Sequence, residues 1–303
     1  VANLDVTCIG LATVDYLSIV EKIPETDSRI ESLEAKIGFG GPAATAAVTL
    51  ARLGKKVGLI AILGDDQASN LIVDNLKIEG VDTSQIVHVK NMSSPISQVI
   101  IEKSTGLRTI ITSGHIQTSP DSYSIEINKT SEVVLLDQAG YKYLENKNMR
   151  EVTFEKYIVA IDGGNPIPNL NLKNVKYYMP TLSQIKKEFS YGEEKNVEEI
   201  LKKITFKSSL EVIFTDGNNG SSAYIDNKLI SSPSFDLPIK STLGAGDVFH
   251  GAFIDGILSH IPTEENLRRS NLCAALSCRA IDGQSGIPSR EELEKLGLVM
   301  ANE

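Results

Sequence analysis

The chain has 303 residues, 41% hydrophobic and 23% charged, which is the make-up of a folded globular protein and excludes a disordered one. Thirty basic against 39 acidic residues leave a net charge of −9, the wrong sign for neutralising nucleic-acid phosphates or an anionic membrane, so neither is expected as a partner. Cys8, Cys273 and Cys278 form no C-x-x-C pair, and no signal pattern or long apolar span is present, so a soluble protein of the reducing cytoplasm is expected.

Residues 4–11 read as a short buried strand ending at Gly10. From 14 to 37, apolar and polar residues alternate about the turn Pro24-Glu25-Thr26-Asp27, as in an exposed antiparallel ribbon. Gly38-Phe39-Gly40-Gly41-Pro42 breaks that pattern. An alanine-rich helix follows over 43–53, with Pro42 near its start and Gly54 at its end. Residues 57–63 are a continuous apolar run, typical of one buried parallel strand, and a helix is expected near 67–79. A second alternating pair, 95–103 and 107–113, turns at Ser104-Thr105-Gly106. Strand-like runs at 133–137, 157–162, 175–179 and 211–215 then alternate with helical stretches near 142–150, 183–189 and 196–206. Residues 227–230 fit a late hairpin, and helices near 246–260 and 264–281 close the pattern. With no repeat or clear linker, residues 1–303 are expected to form one doubly wound α/β domain on a mainly parallel sheet. Two separated segments, 14–37 and 95–113, would supply a small β appendage.

The chemistry concentrates in Ser241-Thr242-Leu243-Gly244-Ala245-Gly246-Asp247-Val248-Phe249-His250-Gly251. Gly244, Ala245 and Gly246 open a helix with bare backbone, so N–H groups can approach an anion at its positive end. A site built only to bind phosphate would avoid Asp247. A carboxylate there suits acceptance of a proton from a hydroxyl attacking a phosphoryl group; otherwise it merely complements the helix dipole. His250, one turn on, reads as packed or hydrogen-bonded structure, since such a base needs no imidazole relay.

Segment 241–253 closely resembles the C-terminal motif of the ribokinase-like (pfkB) carbohydrate kinases, Asp-Thr-x-Gly-Ala-Gly-Asp-x-Phe, with Ser241 in place of the first Asp. Gly40-Gly41-Pro42-Ala43-Ala44-Thr45 with Ala51-Arg52-Leu53-Gly54 resembles the family's N-terminal motif, nearest to its ketohexokinase and sulfofructose kinase branch. The resemblance implies a ribokinase-like fold whose β appendage is a lid, often clasped in a homodimer. It further implies ATP and Mg²⁺ as cofactors, with Asp247 as catalytic base and Gly244, Ala245 and Gly246 as the anion hole. Sugar would be bound by Asp15, Asp27, Gly40, Gly41 and Thr45, phosphate by Arg108, and nucleotide by Thr215, Gly217, Gly220 and Asn271. Where many relatives carry Asn-x-x-Glu for magnesium and phosphate, this chain has Thr181-Leu182-Ser183-Gln184, so no metal ligand is assigned. Asp27 also reads as a plain turn acid, Arg108 as a solvated cation, and Gly217 with Gly220 as a hairpin turn.

The expected activity is phosphorylation of a ketose or related hexose-sized sugar. A neutral sugar is favoured because residues 112–114 and 137–139 offer no Arg or Lys, and Asp137 would repel an anion if it faced the pocket. Kinases of an anionic sugar or a nucleoside, and a non-catalytic sensor, are the alternatives. A nicotinamide enzyme would rest on one loose G-x-G-x-x-A at 38–43, and a Walker-type NTPase lacks its G-x-x-x-x-G-K-[ST].

Overall fold

The alternation of side chains along β9 (Val133–Leu136) shows how the main sheet is buried. Val133 and Leu135 enter one apolar cluster, while Val134 and Leu136 enter another on the opposite face. A strand covered on both faces must be apolar at every position, which is why these segments read as continuous hydrophobic runs. The computed structural model describes residues 3–113, 127, 131–145, 156–189, 196–206 and 208–300.

Eight strands form the main sheet. β4 (Val57–Ile60), β1 (Val6–Ile9), β9, β10 (Ile158–Gly163), β11 (Tyr177–Pro180) and β12 (Glu211–Thr215) run parallel in that spatial order. β13 (Ser221–Ile225) and β14 (Lys228–Ser232) complete it as an antiparallel hairpin. Side chains of α1 (Pro42–Arg52), α2 (Gln67–Ile78), α6 (Ala245–Leu258), α7 (Thr263–Ser277) and α8 (Arg290–Met300) fill the cluster on one face. Those of α3 (Gln138–Glu145), α4 (Leu182–Phe189) and α5 (Val197–Thr205) fill the other. The doubly wound, mainly parallel sheet expected from the sequence is what forms.

The run read as one strand over 57–63 is divided at Ala61. β5 (Ile62–Gly64) leaves the main sheet to pair with β6 (Val87–Val89). Gly64 anchors the departure: its N–H donates to Ser94, and a Cβ there would lie 2.0 Å from the Met92 carbonyl oxygen. The expected helix near 142–150 starts earlier, as α3, and residues 146–150 lie outside the described residues. α8 and β6 were not anticipated.

The two ribbons are one sheet. β2 (Thr13–Val20) pairs antiparallel with β3 (Glu34–Gly40), and β7 (Ile96–Glu102) with β8 (Arg108–Ser113). β2 and β7 join in parallel, giving the order β3-β2-β7-β8. Leu17, Val99 and Ile101 on its inner face pack against Ile281 and Leu243 of the main body. Two polar ties reinforce that contact: Lys36 Nζ lies 2.5 Å from Asp282 Oδ2, and Arg108 donates to Thr242 Oγ1 at 2.7 Å.

Candidate active site

In an open parallel sheet, ligands bind beyond the carboxyl ends of the strands. Gly10, Asp137, Asp162 and Thr215 stand at or beside those ends, and the start of α6 meets them there. Gly244 caps α6 in the left-handed region (φ 74°), where a side chain is strained, and a Cβ there would press on Gly283 at 3.0 Å. The Ala245 N–H turns onto the Thr242 carbonyl at 3.3 Å, and the first α-helical bond runs from Val248 to Gly244. Among the described residues the amides of Gly246 and Asp247 therefore have no acceptor, and a Cβ on Gly246 would meet nothing within 4 Å. Open space over two orphan amides at a helix N-terminus fits an anionic group. The sequence had aimed the Ala245 amide there as well; its turn onto Thr242 removes it.

Asp247 keeps part of its surface open to the crevice. Burial first, then the Asp162 carboxylate, push its carboxyl well above the usual range; Asp137 adds to this, while His250 and Arg108 oppose it. His250 Nδ1 lies 3.0 Å from Asp162 Oδ2, close in distance but off the hydrogen-bond axis, a contact that becomes an ion pair when the imidazole is protonated. Burial alone would lower the His250 pKa, but Asp162, and then Asp247, raise it on balance.

Next to the start of α6 lies a cavity of about 180 Å³. Thr215, Gly217, Gly220 and Asn271, the four residues expected to hold nucleotide, all line it, together with Ala245 and Gly246. Asn271 donates both Nδ2 hydrogens to the Ser232 and Pro233 carbonyls (3.1 and 3.0 Å), which leaves its Oδ1 as acceptor. Phe249 of the 241–253 motif supplies an apolar wall together with Phe235, Ile239 and Cys278, which no sequence motif marks.

Asp15 is buried on β2 with Thr13 Oγ1 donating to it at 2.7 Å. Burial raises its pKa against the hydrogen bonds of Thr13 and Ser97, and Asp282 adds to the rise. Gly40 covers this carboxylate so closely that a Cβ would stand 2.3 Å from Oδ2. Gly41 (φ 91°) packs on the Leu11 carbonyl, where a Cβ would sit at 2.4 Å. Thr45 Oγ1 is buried without a partner and neighbours Gly283, which itself abuts Gly244. Asp15, Gly40, Gly41, Thr45 and the α6 terminus thus converge.

The scan of family models matches residues 3–290 to the pfkB family of carbohydrate kinases. The chain belongs to that family. Mouse (Mus musculus) ketohexokinase is 26% identical over 300 residues, covering 93% of this chain and 98% of its own. Bacillus subtilis ribokinase is 26% identical over 304 residues, covering 96% and 99%. Among solved structures, Arabidopsis thaliana ribokinase complexed with ribose and ATP superposes with a TM-score of 0.84 at 22% identity, covering 98% and 99%. The protein is therefore a carbohydrate kinase, and its fold is ribokinase-like.

Asp27 is an exposed turn residue between β2 and β3 in the left-handed region (φ 59°). Asp137 does not stand free in the crevice. It accepts the N–H groups of Leu11, Gly140 and Ala43, and burial pushes its pKa up to about 6 against those bonds. Gln184 donates to Glu188, which also accepts from Tyr178, so a carboxylate stands one turn beyond the expected position. The cysteines are free and buried, with burial pushing Cys273 up to about 12, which leaves them unsuited to thiolate chemistry. Among the described residues no helix is long and apolar enough to cross a membrane.

Proposed function

We propose that this kinase transfers the γ-phosphoryl group of ATP to a hydroxyl of a neutral ketose or related hexose-sized sugar, with Asp247 as the general base. The observation that carries the reading is the position of Asp247. It stands in the first turn of α6, whose Ala245 and Gly246 line the cavity with Thr215, Gly217, Gly220 and Asn271, and whose cap Gly244 abuts Gly283 beside Thr45. An acceptor hydroxyl held by Asp15, Gly41 and Thr45 meets a nucleotide held in the cavity at that terminus.

In this arrangement Asp247 takes the hydroxyl proton as oxygen attacks phosphorus, and the Gly246 and Asp247 amides accept the charge that develops on the phosphoryl oxygens. Arg108, carried on β8 and tied to Thr242, adds a cation above them. Magnesium bound with the nucleotide would supply neutralisation of phosphate charge. The free Oδ1 of Asn271 suits a base edge that carries an amino donor, as adenine does.

The described residues among 112–113 and 137–139 offer no cation for an acidic sugar. Asp137, though engaged with three amides, still acts as a negative neighbour of Asp247, so together with the missing cation it favours a neutral substrate. The four-stranded sheet serves as a lid that excludes water on closure. Its outer face leaves Tyr16, Ile37 and Ile111 about half exposed in one cross-strand row with Gln98, a largely apolar surface that supports a homodimer through the lid. Sedimentation at micromolar concentration is expected to show that dimer, and a monomer would refute it.

A coupled ADP-release assay across fructose, tagatose, ribose, 2-keto-3-deoxygluconate, sulfofructose and adenosine tests the substrate. Fastest turnover on a neutral ketose is expected. Turnover far faster on an acidic sugar would overturn the substrate class and leave the kinase assignment in place.

A further inference from the structure

Asp162, Asp247 and His250 gather so tightly that their nearest polar atoms all lie within 4.8 Å of one another. The chemistry above uses only Asp247, which leaves the 3.0 Å approach of buried His250 to Asp162 unexplained. Two carboxylates in a water-poor pocket resist ionising together, and a protonated Asp247 cannot accept a proton. Resting on the reading of Asp247 as the base, we propose that His250, held as an imidazolium by Asp162, is a positioning residue that keeps Asp247 ionised at neutral pH.

Local geometry supports this assignment. His250 follows Asp247 by three positions on α6, so both side chains project from one helix face. Asp162 is fixed at the end of β10, where its Oδ1 accepts the Gly164 N–H at 2.8 Å and its Oδ2 faces the imidazole. Asp247 is faced by Asp162 from β10, Asp137 at the end of β9, Arg108 from β8 and His250 from its own helix. His250 is faced by Asp162 and Asp247, and beyond Asp162 stand Tyr178 and Glu188. Only His250 and Arg108 in this set are cations. Arg108 is exposed on the smaller sheet, whereas His250 is buried in the main body. The imidazole is thus the permanent counter-charge. It keeps its own proton throughout turnover: the acceptor O–H bond breaks toward Asp247, and no proton passes through the ring.

The test is the pH profile of kcat/KM for His250→Gln, Asp162→Asn/His250→Gln and Asp247→Asn beside the unaltered enzyme. The His250→Gln acidic limb is expected to move up by about 1–2 pH units, with the high-pH plateau nearly kept. The double variant is expected to move that limb back, because the opposing carboxylate is gone. A pH-independent loss in His250→Gln, or a limb that the second substitution does not return, would overturn the role of His250 while an inactive Asp247→Asn left the base in place. An active Asp247→Asn would remove the base and this proposal with it. A measurement free of folding effects uses histidine-selective ¹⁵N labelling of the unaltered protein, which has four histidines. Both ring nitrogens of His250 are expected to be protonated at pH 7, and a neutral ring would overturn the assignment.

Discussion

Lys36→Met cuts one of the two polar ties between the four-stranded sheet and the main body, while leaving the Arg108–Thr242 bond and the apolar contact of Leu17, Val99 and Ile101 with Ile281 and Leu243 intact. Lys36 Nζ contacts Asp282 Oδ2 at 2.5 Å and Ser285 Oγ at 3.0 Å. The Asp282 side chain is 2% exposed and that of Lys36 41%. Burial pushes the Asp282 carboxyl up, but Lys36, the Ser285 hydroxyl and the Ser285 and Gln284 amides together hold it below its ordinary value. Without the ammonium, a buried charge keeps only neutral donors. A hydrogen bond to a charged group contributes about 1.5–3 kcal/mol, and the solvent exposure of Lys36 brings this to about 1–2 kcal/mol. That is a factor of about 5–30 in the closing equilibrium.

The expected outcome is a rise of that size in KM for the sugar, with kcat at saturation little changed, read in the ADP-release assay. Adding Asp282→Asn is expected to restore most of the loss, because removing both partners leaves no buried charge unpaired. An unchanged KM in the single variant, or a double variant no better than the single, would refute the reasoning.

Asp247→Asn is expected to lose about 10²–10⁴ in kcat, the usual span for a general base, with ATP affinity little altered in an equilibrium titration. Near-normal turnover would remove Asp247 from the chemistry. In the unaltered enzyme the raised Asp247 pKa places the acidic limb of kcat/KM above the ordinary carboxylate range, and activity falls as pH drops through it. Gly41→Ala must place a Cβ against the Leu11 carbonyl at positive φ; a loss of sugar affinity with at least about 1 kcal/mol of destabilisation is expected, checked by calorimetry and sugar titration. Asp137 has a folded pKa of about 6, above its unfolded value, so its protonated form favours the fold. Its contribution to stability is present below the unfolded pKa and is lost as pH rises toward about 6. Denaturant midpoints across pH 4–7 in the unaltered protein and Asp137→Asn measure that slope, which is expected to be smaller in the variant.

The parts of this molecule legible in its sequence are those whose physics is local. Strands buried on both faces announce themselves as apolar runs, and the α6 terminus spells its own bare backbone. The parallel junction of β2 with β7 joins residues about 80 apart and leaves no mark in either segment. The division at Ala61 depends on Met92 and Ser94, and the Asp162–His250 pair spans two distant elements, so neither has a local signature. α8 did leave a usable signal. Ser289 and Glu292 form the S-x-x-E pattern of a helix start, and the Glu292 N–H does donate to Ser289 Oγ at 3.2 Å.

The seven-residue ladder between β2 and β7 has a thermodynamic consequence. It makes Asp15 and Arg108, from distant stretches of chain, parts of one plate. On the proposed reading, the plate that meets the sugar through Asp15 is the plate that lowers Arg108 onto the donor. Each ligand then bears part of the ordering cost for the other, so their affinities must be linked, and by the same factor in both directions. On that reading, occupancy of either half of the site is felt at the other without any separate signal between them.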